Sequence, residues 1–123
     1  MSNRNVVHVE IPAKDVKAAG QFYESLFGWK ISHEEALNYA LWEPVEGPGG
    51  GFPQVDEEYG VGEILIHIAS DDIDADLSMV EQLGGKVLKP KTEIPGIGWY
   101  GVFQDPTGNQ LALYTSMNPN PDQ

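Results

Sequence analysis

Three histidines, nineteen acidic residues and no cysteine define the chemistry open to this 123-residue chain. Without thiols there is no disulfide, thiolate nucleophile, iron–sulfur cluster or cysteine zinc site, so any metal must be held by imidazole, carboxylate, amide or water. His8 and Glu10 stand two apart in the run Val6–Ile11. Side chains on a strand alternate with period two, so this spacing places an imidazole and a carboxylate on one face. His67 occupies a similar run, Ile64–Ala69. Together His8, Glu10 and His67 are a two-histidine, one-carboxylate set of the kind that holds Fe(II), Ni(II) or Zn(II) with open positions. Without an ion, a histidine beside a glutamate is a pattern for general acid–base work. The competing reading is structural: neutral imidazoles lining a pocket, bonded to backbone or to Glu10.

Other polar clusters read more plainly. His33, within Ser32-His33-Glu34-Glu35, looks like a solvated loop histidine. The acidic run Asp71, Asp72, Asp74 and Asp76 lacks the glycine and closing glutamate of a calcium loop and suits a helix start. Neither Gly49-Gly50-Gly51 nor Gly96-Ile97-Gly98 has the strand, glycine loop, helix and lysine order of a phosphate loop.

The elements that must position these groups follow from an internal repeat. Placing Asp15-Val16 under Asp72-Ile73 aligns Val9 and Ile11 with Ile66 and Ile68, Leu26 with Leu83, Gly28 with Gly85 and Ile31 with Leu88, without a gap. Each half opens with a β-branched run that reads as a strand. A helix follows, with Val16, Ala19, Phe22 or Tyr23, Leu26 and Phe27 as its apolar stripe in the first half, and Ile73, Leu77, Val80 and Leu83 in the second. Asp15, and Asp71 or Asp72, are the N-caps; Gly28 and Gly84-Gly85 are the C-terminal stops. Gly98–Gln104 and Gln110–Thr115 read as strands joined by the turn Asp105-Pro106-Thr107-Gly108-Asn109, with first-half equivalents near Lys30–Ser32 and Tyr39–Pro44. Gly47–Pro53 reads as a flexible connection. One domain, residues 1–117, thus comprises repeats 6–60 and 61–117, with 118–123 as a disordered tail.

This doubled strand–helix–three-strand unit carries Asp71-Asp72-Ile73-Asp74-Ala75, Leu83-Gly84-Gly85-Lys86-Val87-Leu88, Pro95-Gly96-Ile97-Gly98 and Asp105-Pro106-Thr107-Gly108-Asn109. It resembles the vicinal oxygen chelate superfamily, which contains glyoxalase I, the bleomycin resistance proteins and extradiol dioxygenases, over about Val6 to Ser116. The resemblance implies an α+β fold of two tandem βαβββ units forming a cup-shaped mixed sheet, with the helices on the outer face, and it implies a homodimer. It also implies four metal-ligand positions. The first falls on His8. The repeat puts Leu65 at the second, and the position three residues after Asn109 is Ala112, so neither can ligate. The fourth lies around Pro44 to Phe52, with Glu43 and Glu46 as candidates. The expected cofactor is therefore none, with a divalent metal open through His8, Glu10 and His67.

By alternation the cup is expected to present His8, Glu10, Leu65, His67, Ala69, Gln110, Ala112 and Tyr114, while Val7, Val9, Ile11, Ile64, Ile66, Ile68, Leu111 and Leu113 face the helices. Trp99 is placed in the ligand cavity, and Trp42, Tyr39, Tyr100 and Phe52 are candidates for its rim or for ordinary core packing. A net charge of −12 repels nucleic acid, and a single arginine, Arg4 near a flexible start, cannot form a clamp for glutathione's carboxylates. No apolar run is long enough to span a membrane, and the chain reads as soluble and cytoplasmic. The first expectation is a binding protein for a small aromatic or cationic molecule in the cup, with a degenerate metal site. The alternative is a divalent-metal-dependent lyase, isomerase or dioxygenase acting on a small carbonyl or aromatic substrate. Classical glyoxalase I chemistry is disfavoured in both readings.

Overall fold

The computed structural model of the chain describes residues 4–57 and 60–117. The tail expected at 118–123 lies outside the described residues. The fold is α+β, in two compact units, one of residues 8–65 and the other of residues 4–7 together with 66–117. Among the described residues no helix is long and apolar enough to cross a membrane.

In the first unit, β1 (Val6–Glu10) leads through a short loop to α1 (Val16–Phe27), and β2 (Lys30–Glu34), β3 (Tyr39–Glu43) and β4 (Gly49–Pro53) follow. The strand order is β2-β3-β4-β1, with β1 parallel to β4 and the other pairs antiparallel. Asp15 caps α1 by accepting the Ala18 N–H at 3.0 Å, and Gly28 ends it in the left-handed region at φ 75°. The helix covers the sheet face that carries Val9, Ile31, Ala40, Trp42 and Phe52, with Val16, Ala19 and Tyr23 as its own contribution. Leu26, expected in that stripe, is 59% exposed, and of the pair Phe22 or Tyr23 it is Tyr23 that points inward. Phe27, also expected there, is 57% exposed, while Gly20 is buried against β2: a Cβ there would lie 3.0 Å from the Ile31 side chain and 3.1 Å from His33.

The second unit repeats this plan. It contains β5 (Leu65–Ala69), α2 (Ile73–Gln82), β6 (Lys86–Ile94), β7 (Gly98–Gln104) and β8 (Gln110–Ser116), with β5 parallel to β8. Of the two candidate caps for α2, Asp72 accepts the Ala75 N–H at 3.0 Å. The turn between β7 and β8 is held by the Asp105 carboxylate, which accepts the backbone N–H groups of Thr107, Gly108 and Asn109 at 2.9 Å each. These bonds, led by the one from Asn109, hold the Asp105 carboxyl below its usual range. Ile73, Leu77 and Leu113 form the core, with Ile68, Val87, Trp99 and Phe103 packed on it. Ile68 and Leu113 thus face the helix as expected, whereas Ile64 and Ile66 are 52% and 38% exposed. Arg4 is ordered: its guanidinium meets the Asp76 carboxylate at 2.5 and 3.2 Å, and Ser70 donates to the same carboxylate at 2.6 Å.

The largest departure from expectation is Gly47–Pro53. Residues 49–53 are no flexible connection but a buried strand between β3 and β1, pairing Gly50 with Trp42 and Gly51 with Leu41. Glycine weakens a strand in isolation, and its use in one marks close approach by another group. Here there are two such groups, on opposite faces. A Cβ on Gly50 would overlap the Trp42 ring and the Val9 carbonyl, and a Cβ on Gly51 would overlap the Tyr39 ring and hydroxyl. Gly50→Ala is therefore expected to cost about 3 kcal/mol, the upper part of the range for overpacking a buried site. Urea unfolding followed by tryptophan fluorescence measures it, and an unchanged midpoint would contradict the close packing.

Candidate functional site

The face of the first unit turned away from α1 carries the polar groups. On β1 these are His8 and Glu10, paired in register with Gly49 and Gly51 of β4. On β3, Tyr39 and Leu41 share this face, since their neighbours Ala40 and Trp42 belong to the core under α1. Strand β4 runs between β3 and β1, so a β3 side chain can touch β1 only by crossing β4. Tyr39 does so over Gly51, which is buried beneath it. Its hydroxyl lies 2.8 Å from His8 Nε2 and 2.8 Å from Glu10 Oε2.

The hydrogen bonds link three groups that can each hold a proton. A phenol has one proton, and that of Tyr39 is donated to Glu10. With Tyr39 donating to Glu10, His8 Nε2–H donates to Tyr39; in the other tautomer of His8 the phenol proton turns to Nε2 instead. Burial lowers the His8 pKa from 6.5, which favours this neutral ring. Burial also raises the Glu10 pKa from 4.5, opposed by the hydrogen bond from Tyr39. The result is an imidazole, a phenol and a carboxyl in one hydrogen-bonded row, half-buried on a sheet face. Such a row can hydrogen-bond a carbonyl or amine and can pass a proton along its length.

The other expected residues are distributed as follows. Leu65 is buried at the start of β5. His67 and Ala112, both buried, lie side by side on β5 and β8, and Tyr114 pairs with Ala69 and Tyr100 on the same face of the second unit. Lys89 Nζ sits 5.2 Å from the centre of the Tyr100 ring, a cation–π contact. Trp99 is on the opposite face, packed on the α2 core, with Lys91 Nζ 5.3 Å from its ring centre. Of the remaining rim candidates, Trp42 and Phe52 belong to the core under α1, where Trp42 stacks on Trp29 at 4.5 Å and Phe52 on Tyr23 at 5.3 Å. Glu43 ends β3 at the surface, 3.5 Å from Lys30 Nζ, and Glu46 is exposed in the following loop.

Register within each unit shows which residue of the first unit corresponds to Ala112. The repeat matches Glu10 with His67; Glu10 pairs with Gly51 on the final strand of its unit, and His67 pairs with Ala112 on the final strand of the other. Gly51 is therefore the counterpart of Ala112, and neither offers a donor atom. The superfamily often holds a divalent ion, and the donor set here does not fit one. His8 Nε2 and Glu10 Oε2 both point at the Tyr39 hydroxyl, and among the described residues no three His, Cys, Asp or Glu side chains gather as a metal-holding group.

The sequence matches the family described as the Glyoxalase-like domain over residues 7–114. It is 31% identical over 115 residues to a Glyoxylase-like domain-containing protein of Didymella fabae, covering 87% of this chain and 90% of that one. It is 28% identical over 125 residues to the anthracycline biosynthesis protein DnrV of Streptomyces peucetius, covering 85% of this chain but only 44% of that protein, so it spans less than half of DnrV's length. Its fold is shared with a glyoxalase/bleomycin resistance protein/dioxygenase superfamily member from Vibrio splendidus 12B01, with a TM-score of 0.66 at 12% identity over 91% of this chain and 98% of that one.

The pKa shifts set a pH dependence. Glu10 has a raised folded pKa, so folding favours its neutral form, and the stability this lends at low pH is lost as pH rises through the folded value. Glu10→Gln, whose amide oxygen can still accept from Tyr39, is expected to melt higher than wild type at neutral pH and to lose that advantage at pH 4. His8 has a lowered folded pKa, so its contribution is full above 6.5 and falls away below it. Thermal melts of wild type, Glu10→Gln and His8→Gln between pH 4 and 8 check both signs.

Proposed function

The chain belongs to the glyoxalase-like domain family, and we propose that it binds a small aromatic or cationic molecule on the sheet face bearing His8, Tyr39 and Glu10, with hydrogen bonds in place of a chelated ion. The observation that carries this reading is the Tyr39 hydroxyl, 2.8 Å from both His8 Nε2 and Glu10 Oε2. A half-buried polar row beside Leu41 and a bare glycine strand has the character of a small-molecule site, apolar with a few placed polar groups. A chain charge of −12 favours cations over anions. The relative DnrV is named for anthracycline biosynthesis, and anthracyclines are aromatic, which agrees with the ligand class.

One observation favours a second reading, an enzyme acting on a small carbonyl or aromatic substrate. A carboxyl of raised pKa and a neutral imidazole share one phenol, and this pairing suits proton transfer without an ion.

A thermal-shift panel of cationic glycopeptides, planar aromatics and thiol adducts tests the binding reading. A ligand at a hundred times its Kd adds about 2.7 kcal/mol to the folded state, several degrees in the melting midpoint. The shift is expected from cationic or aromatic members and is expected to shrink in Tyr39→Phe and Glu10→Gln. If no member moves the wild-type midpoint, the reading fails; if a hit also turns over, the enzyme reading takes its place.

A further inference from the structure

We propose that Tyr39 excludes a divalent ion from this unit: its hydroxyl occupies the place between His8 Nε2 and Glu10 Oε2 at which both donors would meet a metal, and Gly51 is what lets it stand there. The argument is geometric. Zinc takes imidazole nitrogen at about 2.0–2.1 Å and carboxylate oxygen at about 2.0–2.2 Å, so one ion bound by both donors must lie where their lone pairs converge. In this chain the two atoms converge on Tyr39 Oη, at 2.8 Å each, which is hydrogen-bond distance and not coordination distance. A ligand also needs a lone pair to offer. His8 Nε2 is turned to the phenol in either tautomer, carrying a proton in one and spending its lone pair on the hydroxyl in the other, so it has none to offer a metal while the row is intact.

Gly51 makes the second, independent observation. It stands at the register position of Ala112, where the superfamily resemblance implies a final-strand ligand, and its missing side chain leaves room for the Tyr39 ring that passes over it. One residue on β4 and one on β3 thus act together. The glycine removes a donor and, by the same absence of a Cβ, opens the path by which the phenol reaches β1. The two final-strand positions consequently differ in kind. Ala112 is closed by its own methyl and its burial, whereas Gly51 is filled by a hydroxyl from the next strand.

This inference deepens the binding reading by stating how the site does without an ion, and its test uses no organic ligand, so either can fail alone. Chelator-treated wild type, Tyr39→Ala, and Tyr39→Ala carrying Glu10→Gln are titrated with zinc and with nickel by calorimetry, circular dichroism having shown each to be folded. Removing the ring and hydroxyl together is expected to tighten metal binding about tenfold or more over wild type, and Glu10→Gln is expected to abolish the gain. Tyr39→Ser, whose hydroxyl is too short to cross β4, replaces the alanine variant if that one does not fold. Wild type binding one ion per chain as tightly as the variant, no gain in either variant, or a gain that survives Glu10→Gln each overturns the proposal.

Discussion

The passage of the Tyr39 side chain across β4 is the contact on which the first unit's chemistry depends. Strands in a sheet are separated by about 4.8 Å, so a residue on β3 reaches β1 only if nothing stands on the strand between. Gly51 meets that condition on one face, and Gly50 meets it on the other, where the Trp42 ring lies. The same three-glycine run therefore serves the core under α1 and the polar row above it. Thinning one strand lets two aromatic side chains from β3 lie flat against the sheet, one joining the stack of Trp29, Trp42, Phe52 and Tyr23, the other ending in the hydroxyl that joins His8 to Glu10.

Two units built on one plan have diverged by filling equivalent positions differently. In each, the first strand is parallel to the last, and a residue of the first strand faces a position that the superfamily resemblance gives to a ligand. The first unit pairs Glu10 with a glycine covered by a phenol; the second pairs His67 with a buried alanine. Neither side chain offers a donor atom, and in the first unit the polar row of His8, Tyr39 and Glu10 stands over the glycine. Burial disfavours charge on both ends of that network, lowering the imidazole's pKa and raising the carboxyl's.

Local signals were legible in the sequence wherever one residue type answers one local need. Asp15 and Asp72 cap helices because a short carboxylate reaches the free N–H groups of the first turn, and Gly28 ends α1 because the chain turns left-handed there. The placement of His8 and Glu10 on one face follows from strand periodicity alone. The strand at Gly49–Pro53 was not legible, since three glycines between prolines carry no β propensity and look like a linker; the signal was instead their position after β3 with its two aromatics, Tyr39 and Trp42, which only pairing makes meaningful. Leu26 was misjudged for a similar reason, because a stripe of apolar residues gives the side of a helix but not which members of the stripe meet the sheet.

By itself, then, the sequence determined the repeat, the α+β plan, the caps and turns, and the shared face of His8 and Glu10, all of which rest on local spacing or on residue chemistry. Tertiary structure decided that Tyr39, twenty-nine positions from Glu10 in the chain, joins that pair, that Trp99, Trp42 and Phe52 turn to the helices, and that Gly51 is the counterpart of Ala112. The physical reason is that strand order and register bring together residues remote in sequence, and a side chain's reach across a neighbouring strand depends on what that neighbour lacks.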